Sequence, residues 1–185
     1  MYASVFYTGG ALDRAGVRRR DEAWVAERLG RRDTLVVPVW RNRSLITGGA
    51  APEAALIAGG DARKLIELAG HVALLGLDGE TAVAAIDLSD HEQGPLSGLV
   101  EPARFMDLRR AAALMERSQA SLLAHARGMM HWHRNHLFCG ACGGATHSRQ
   151  GGHLRVLRER ALPAYRPRRH HAGGPGRRLP ARPQA

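Results

Sequence analysis

The sequence predicts an α+β fold, in which a mixed N-terminal β/α domain is followed by a long helix, an incomplete zinc knuckle and a disordered basic tail. Three observations predict it. Short β-rich runs alternate with helical patterns up to about residue 105. Apolar residues then recur at helical spacing over residues 107–133, and a C-x-x-C pair, Cys139 and Cys142, follows them. An apolar fraction of 44% is enough to build a core.

The first elements are a helix and two strands. Asp21–Leu29 places its apolar residues at helical spacing, and Gly30 is a candidate stop. Thr34–Trp40 and Ser44–Thr47 are short and rich in β-branched residues, which predicts strands. Proline cannot donate to a strand ladder, so Pro38 predicts that the first strand lies at a sheet edge or contains a bulge.

A second helix and a hairpin complete the N-terminal region. Asp61 is a candidate cap for a helix that runs through Ala69, with a glycine after it. Val72–Leu77 and Thr81–Leu88 flank an Asp-Gly pair at 78–79. That pair favours a type I′ turn, which needs positive φ at both central residues. The sequence therefore predicts a β-hairpin here.

One long helix is predicted for residues 107–133, with Asp107 as its N-cap. Its apolar residues alternate at steps of four and three, apart from one gap at Gln119, which marks a single buried stripe. The methionines of this stripe are expected to lie in the core. The stripe consists of Leu108, Ala112, Met115, Leu122, Ala126 and Met129.

The basic charge is concentrated at the end of the sequence. Residues 1–156 hold 19 basic and 16 acidic residues, a net charge of +3, whereas residues 157–185 hold eight arginines and one acid, a net charge of +7. The last segment also has five of the nine prolines, so it is expected to be disordered. It offers charge without interleaved aromatic residues, which predicts at most weak, salt-dependent nucleic-acid binding.

The sequence indicates a cytoplasmic protein. No apolar run approaches the length that spans a bilayer, and the first ten residues lack the pattern of a secretory signal. Both cysteines sit in one C-x-x-C, whose spacing is too tight for a disulfide framework. Such a pair is typical of a metal site or a redox pair in a reducing compartment.

Cys139 and Cys142 are the candidate metal ligands. The glycine after the second cysteine lets the chain turn back, so that both thiolates can face one ion. Structural zinc takes four ligands, and the chain has no second cysteine pair. His136, His147 or the cysteines of a second chain are candidates for the missing ligands; a redox pair and inert thiols are the alternatives. His131, His133 and His136 are more typical of helix-end packing and capping groups.

These residues, together with motifs upstream, resemble the NADH pyrophosphatases of the Nudix family over about residues 10–156. The resemblance implies an N-terminal domain (1–106), a connecting helix (107–134) and half of a zinc ribbon (135–156), which are followed by the disordered Arg/Pro-rich tail (157–185). In intact relatives a further Nudix domain hydrolyses NADH to NMNH and AMP with Mg²⁺ or Mn²⁺, and NAD(H) binding is expected only there. The segments that carry the resemblance are 12–14, 18–22, 34–45, 73–76, 84–88, 107–109, 126–127, 132–133, 136–146 and 151–152.

The chain departs from this family after residue 156. The second cysteine pair is missing, and the only acidic residue beyond that point is Glu159, so no Nudix signature is present. We therefore expect a truncated, non-catalytic chain that retains at most a structural zinc. The alternatives are a module for homodimerisation or partner binding with a partial zinc site, and a weak nucleic-acid binder that works through the tail.

The tail suggests a frameshift. The chain uses 26 arginines against one lysine, which is typical of GC-rich codons. If Leu157 and Leu162 are encoded by CTG, reading one base further on gives cysteine at both positions. That C-x4-C spacing suits the missing half of the ribbon. The hypothesis is that residues 157–185 are a shifted reading of a once intact gene.

Overall fold

The computed structural model describes residue 7, residues 9–92 and residues 102–158. Within these ranges the chain forms a central mixed sheet, helices against both of its faces and a separate two-stranded hairpin. The predicted α+β class is confirmed. Within the same ranges, no helix has the length and apolar character needed to cross a membrane.

The central sheet has six strands in the order β3-β2-β1-β5-β4, and β6 pairs with β2 outside this order. Strands β1 and β5 run parallel to each other, whereas the other neighbours are antiparallel. The predicted strands β1, β2, β4 and β5 are present, and the short strands β3 and β6 were not predicted. The strands are β1 (Leu35–Trp40), β2 (Arg43–Thr47), β3 (Glu53–Ala54), β4 (His71–Asp78), β5 (Thr81–Asp87) and β6 (Arg104–Met106).

Pro38 does not mark an edge strand, because β1 has neighbours on both sides. Proline has no backbone N–H to donate, and at position 38 the hydrogen-bond ladder between β1 and β2 is interrupted. The N–H of Val36 points away from β5 and donates to the Ile57 carbonyl at 2.8 Å, and position 38 faces the same side. There β2 has already turned away, since the Leu45 carbonyl accepts from Ala55 rather than from β1. The strand can therefore hold a proline without losing a hydrogen bond.

The predicted hairpin is present, but its turn differs from the prediction. Asp78 pairs with Thr81, so that Gly79 is the first of the two central turn residues and the only one with positive φ, at 57°. A type I′ turn needs two such residues. That pattern occurs instead between β1 and β2, where Arg41 and Asn42 have φ of 47° and 62°.

Helix α1 (Glu22–Gly30) begins where the sequence predicts. The Asp21 carboxylate accepts hydrogen bonds from the backbone N–H groups of Ala23 at 2.9 Å and Trp24 at 3.2 Å. Gly30 is the last helical residue, and the chain continues in an extended conformation without a left-handed cap.

Helix α2 (Gly59–Leu68) starts earlier than predicted. Its N-cap position is Ala58, which makes no side-chain capping bond. The prediction that Asp61 caps the helix was wrong. Asp61 lies inside the first turn, where it pairs with Lys64 at 3.2 Å and complements the positive end of the helix.

The predicted long helix is divided in two. Helix α3 (Leu108–Ala111) continues into a 3₁₀ turn (Ala112–Leu114), and Met115 then adopts an extended conformation with φ of −90° and ψ of 155°. Helix α4 (Arg117–Asn135) starts after Glu116. The prediction of one helix over residues 107–133 was therefore wrong at its first two turns.

Two separate caps account for this break. Asp107 caps α3, as predicted, by accepting from the N–H of Arg109 at 2.8 Å. The Glu116 carboxylate caps α4 by accepting from the N–H groups of Ser118 and Gln119. The Ser118 hydroxyl bond to this carboxylate is the largest cause that lowers the pKa of Glu116. Apolar spacing did not show the break, because Met115 is buried in the same core as the residues of α4.

The core lies on both faces of the sheet. Alternate residues of β1 point to opposite faces, so Val37 and Val39 pack beneath α4, whereas Val36 packs beneath α2. Helix α1 covers a third cluster around Leu74 and Leu77. The buried apolar residues that α4 contributes are Ala120, Leu123, Ala126 and Met130.

The chain continues into the hairpin of β7 (Thr146–Arg149) and β8 (Leu154–Leu157). Leu157 was assigned to a disordered tail, but it is the last residue of β8 and pairs with Thr146. The N–H of Arg158 donates to the Ala145 carbonyl at 2.9 Å. The remainder of the predicted tail, residues 159–185, lies outside the described residues.

Replacement of Gly76 by alanine is expected to destabilise the domain. A Cβ at this position would lie 2.5 Å from the Asp13 carbonyl oxygen and 2.9 Å from Leu12 Cβ, where the N-terminal segment pairs with β4. We expect the free energy of unfolding in urea to fall by about 1–3 kcal/mol. The control is Gly128→Ala in α4, whose Cβ meets nothing within 4 Å. It should raise stability by up to about 1 kcal/mol. Equal stability of the two variants would contradict this interpretation.

Candidate metal centre

The two cysteines lie in a tight turn between α4 and β7, which we call the cysteine knuckle (residues 137–146). The N–H of Cys139 donates to the Gly144 carbonyl, and the N–H of Gly143 donates to the Cys139 carbonyl, both at 2.8 Å. Gly143 has φ of 67°, a conformation that favours glycine. The predicted turn with positive φ at the glycine after Cys142 is confirmed.

Both cysteines are free thiols, Cys139 half-buried and Cys142 exposed. Hydrogen bonds from the backbone N–H of Ala141, then from the N–H and the thiol of Cys142, lower the pKa of Cys139. Backbone donors aimed at the sulfur stabilise the thiolate, which is the form that binds metal ions. The turn therefore favours the thiolate form of Cys139 more than open solvent does.

The knuckle does not supply a closed zinc site. Among residues 7, 9–92 and 102–158, no three His, Cys, Asp or Glu side chains form a group that could hold a metal ion. Neither His136 nor His147 therefore completes a three-ligand set with the two cysteines. His136 instead bonds through Nδ1 to the Trp132 carbonyl at 2.8 Å, and the Nδ1 of His147 is buried without a partner. Two thiolates do not fit the four-ligand shell of structural zinc.

Leu157, the last residue of β8, lies beside the knuckle. A Cβ built on Gly144 would lie 3.0 Å from Leu157 Cδ2 and 3.4 Å from Cys142 Sγ. The side chains of Leu157 and Cys142 therefore both lie next to Gly144. The position that β8 directs toward the cysteines is occupied by an apolar side chain with no ligand atom.

His133 joins the hairpin to the domain. Its ring is fully buried and stacks on His71 with a centroid distance of 5.3 Å. Arg155 Nη1 lies 2.9 Å from His133 Nδ1, and a guanidinium can only donate, so Nδ1 accepts. The proton is therefore on Nε2, which donates to the Gly152 carbonyl at 2.8 Å. The prediction that His133 is a packing group is confirmed.

The same hairpin pairs with the outer edge of β4. The N–H of Leu74 donates to the Gly151 carbonyl at 2.8 Å, and His153 Nε2 lies 2.7 Å from the Leu74 carbonyl oxygen. Gly152 permits this approach, because a Cβ there would lie 2.7 Å from the Cα of Ala73. Only glycine fits at this position without moving the backbone of β4.

Acid is expected to weaken the folded state through His133. Burial, and next the neighbouring His71, lower the pKa of this ring to about 4. Unfolded histidine takes up a proton below about pH 6.5, whereas the folded ring stays neutral. Proton uptake therefore favours the unfolded chain, and stability is lost as pH falls from about 6.5 to about 4.

The variant His133→Gln tests this assignment. Glutamine keeps a donor and an acceptor but does not titrate, so the pH dependence of the free energy of unfolding over this window should weaken, by at most about 1.4 kcal/mol per pH unit. Urea denaturation at several pH values measures it. His125, whose pKa is also lowered to about 4 by burial, supplies the comparison variant His125→Gln. An unchanged slope in His133→Gln would contradict a buried neutral ring.

A family model described as the NADH pyrophosphatase-like rudimentary NUDIX domain matches residues 33–132. The match is more than half of the chain and runs from the residue before buried Thr34 into α4; the cysteine knuckle lies beyond it. No curated protein shows significant similarity to the chain. The matched segment contains the whole central sheet. The chain therefore belongs to the family of NADH pyrophosphatase-like rudimentary NUDIX domains.

Proposed function

We propose that these 185 residues form a non-catalytic member of the NADH pyrophosphatase family. The placement of the carboxylates in the fold supports this proposal. Hydrolysis of a diphosphate on Mg²⁺ or Mn²⁺ needs several carboxylates gathered around the metal ion and the phosphate oxygens. In the part of the chain that the structure describes, no such group is found.

Four acidic side chains instead serve separate structural roles. Asp21, Asp107 and Glu116 each cap a different helix. Asp87 is buried and pairs with Arg134 at 3.0 Å, which ties α4 to the end of β5. Each of these four carboxylates is engaged with backbone N–H groups or with a guanidinium. These four carboxylates therefore stabilise the fold at separate places and do not converge on one ion.

Purified protein is expected to release no AMP from NADH, with either Mg²⁺ or Mn²⁺ present. Chromatographic separation of NADH, NMNH and AMP after incubation provides the measurement. A mock purification from cells that lack the gene controls for contaminating hydrolases. AMP release that scales with the concentration of this chain and stops on chelation of the metal would disprove the proposal.

We propose further that Cys139 and Cys142 are one half of a zinc ribbon whose other ligands must come from elsewhere. The turn geometry and the lowered pKa of Cys139 support metal binding. The position of Leu157 supports the frameshift hypothesis, because a cysteine there would place a third thiol beside Cys142. A reducing compartment such as the cytoplasm forms part of this proposal, since the ligands must be thiols.

A second copy of the chain is the alternative source of ligands. Three apolar side chains around the knuckle are solvent-exposed, Leu137 by 41%, Phe138 by 63% and Leu157 by 49%. Exposed apolar residues around an incomplete metal site favour contact with another protein surface. In this second candidate function, the knuckle is a dimerisation element in which two cysteine pairs share one zinc ion.

The variant Leu157→Cys is expected to bind zinc at least about tenfold more tightly than the original chain, since a third thiolate joins the first two. Competition with a chromogenic chelator measures the affinity, and native mass spectrometry gives the stoichiometry. The control is Leu154→Cys, because position 154 lies on the opposite face of β8.

The zinc-binding results distinguish between these proposals. Equal affinities of the two cysteine variants would contradict the assigned position of residue 157. One zinc ion per two original chains would support the shared site. Failure of the original chain to bind zinc as monomer or dimer would disprove metal binding by Cys139 and Cys142.

A further inference from the structure

A small cleft lies between the N-terminal segment and the first turns of α4, and we call it the α4 cleft. The N–H of Asp13 donates to the Leu77 carbonyl at 3.0 Å, and the N–H of Leu77 donates to the Asp13 carbonyl at 2.8 Å. These bonds hold the N-terminal segment on β4. Residues of segment 10–14 and of segment 118–125 line the cleft, and Asp78, at the end of β4, lines it as well.

The volume of the cleft limits the size of its ligand. The cleft has a volume of about 160 Å³, and a cavity of about 150 Å³ holds a molecule of the size of benzene. A dinucleotide is several times larger and does not fit. Half-buried Leu12 and Leu122 supply apolar surface to the lining. The cleft therefore suits a small ligand with an apolar body.

One buried hydroxyl in the lining has no partner. Ser121 is only 8% exposed, and within the described residues its hydroxyl makes no hydrogen bond. A Cβ built on Gly10 would lie 3.5 Å from Ser121 Oγ and 3.7 Å from Arg14 Nη2. The hydroxyl and the guanidinium therefore both lie next to Gly10, which has no side chain to separate them. Because a buried polar group without a hydrogen bond costs free energy, the Ser121 hydroxyl is available to a ligand.

Two opposite charges line the cleft without pairing. In the part of the chain that the structure describes, neither Arg14 nor Asp78 forms an ion pair, with the other or with a third residue. His125 orients Arg14, whose Nη1 lies 2.7 Å from the ring nitrogens. The pKa of His125 is lowered to about 4, first by burial and then by Arg14. The ring therefore adds no second positive charge at neutral pH.

We propose that the α4 cleft binds a small zwitterion with an apolar body, of the chemical class of the aliphatic α-amino acids. The carboxylate of the ligand pairs with the Arg14 guanidinium and accepts from the Ser121 hydroxyl. Its ammonium group pairs with Asp78, and its aliphatic side chain contacts Leu12 and Leu122. A ligand that has one charge leaves one of the two protein charges unpaired. This site depends neither on zinc nor on catalysis.

Three related molecules test the choice of ligand with the full chain. L-Valine carries both charges, isovalerate lacks the ammonium group, and isobutylamine lacks the carboxylate. Titration of the ¹⁵N-labelled chain, followed in ¹H–¹⁵N spectra, gives each Kd from the shifts of amides 10–14 and 118–125. L-Valine is expected to bind about tenfold more tightly than either analogue, since each analogue loses a hydrogen-bonded charge pair.

The variant Asp78→Asn tests the ammonium contact. Asn-Gly is as common as Asp-Gly in tight hairpin turns, so the substitution removes the charge and keeps the turn. The Kd for L-valine should rise about tenfold, whereas isovalerate should bind no more weakly than before. A purely structural role of Asp78 would weaken both ligands equally. The control is Glu80→Gln, because Glu80 pairs with Arg28 at 3.1 Å and does not line the cleft.

The variant Ser121→Ala tests the carboxylate contact. The Kd for L-valine should rise about tenfold, because a hydrogen bond to a charged group is lost. The free energy of unfolding should not fall, since alanine favours the helix and the hydroxyl has no partner to lose. Ser44→Ala is the matched control: the Ser44 hydroxyl is also buried without a partner, but it lies on β2 and outside the cleft. This control should bind L-valine as the original chain does.

Three outcomes would overturn the proposal. If millimolar L-valine shifted none of these amides, the cleft would hold only water. If isovalerate bound as tightly as L-valine and Asp78→Asn had no effect, the ligand would be a simple anion. If Ser44→Ala weakened binding as much as Ser121→Ala, the loss would come from the fold and not from the cleft.

Discussion

One buried hydrogen bond, from His133 Nε2 to the Gly152 carbonyl, ties the hairpin that follows the cysteine knuckle to α4, beside the bonds that Gly151 and His153 make to β4. The ring is held in that tautomer by Arg155, which also bonds to Thr146 through Nε and so links β7 to β8. Helix α4 thereby fixes the hairpin from its C-terminal end, while its other buried residues hold the sheet. Side chains of α4 and of the hairpin thus contribute directly to the position of the knuckle.

Much of the fold could be predicted because its signals are local. The strands β1, β2, β4 and β5 are short β-rich runs, and α1 begins at a capping residue followed by apolar residues at helical spacing. The predictions were wrong where contacts between residues far apart in the sequence determine the local structure. Pro38 is accommodated because β2 leaves β1 at that point, and the apolar stripe conceals the division between α3 and α4 because Met115 enters the same core from an extended backbone.

The candidate sites also differ in how close together their residues lie in the sequence. Cys139 and Cys142 could be identified from the sequence, since the turn and both thiols lie within six residues. The docking of Gly152 on β4 could not, because nothing in the sequence relates residue 152 to residues 73 and 74. In the same way, nothing in the sequence relates Arg43 to Arg104 and Arg110, which folding brings around one pocket.

The contact between the hairpin and β4 has a consequence for solubility. A terminal strand with unpaired N–H and C=O groups is a template for edge-to-edge association with another molecule. Here the Leu74 amide and carbonyl are both occupied, by Gly151 and His153, and Asp13 takes the corresponding groups of Leu77. The short hairpin and the N-terminal segment together cap the open side of the sheet. This cover occupies backbone groups of β4 that could otherwise pair with a strand of another molecule.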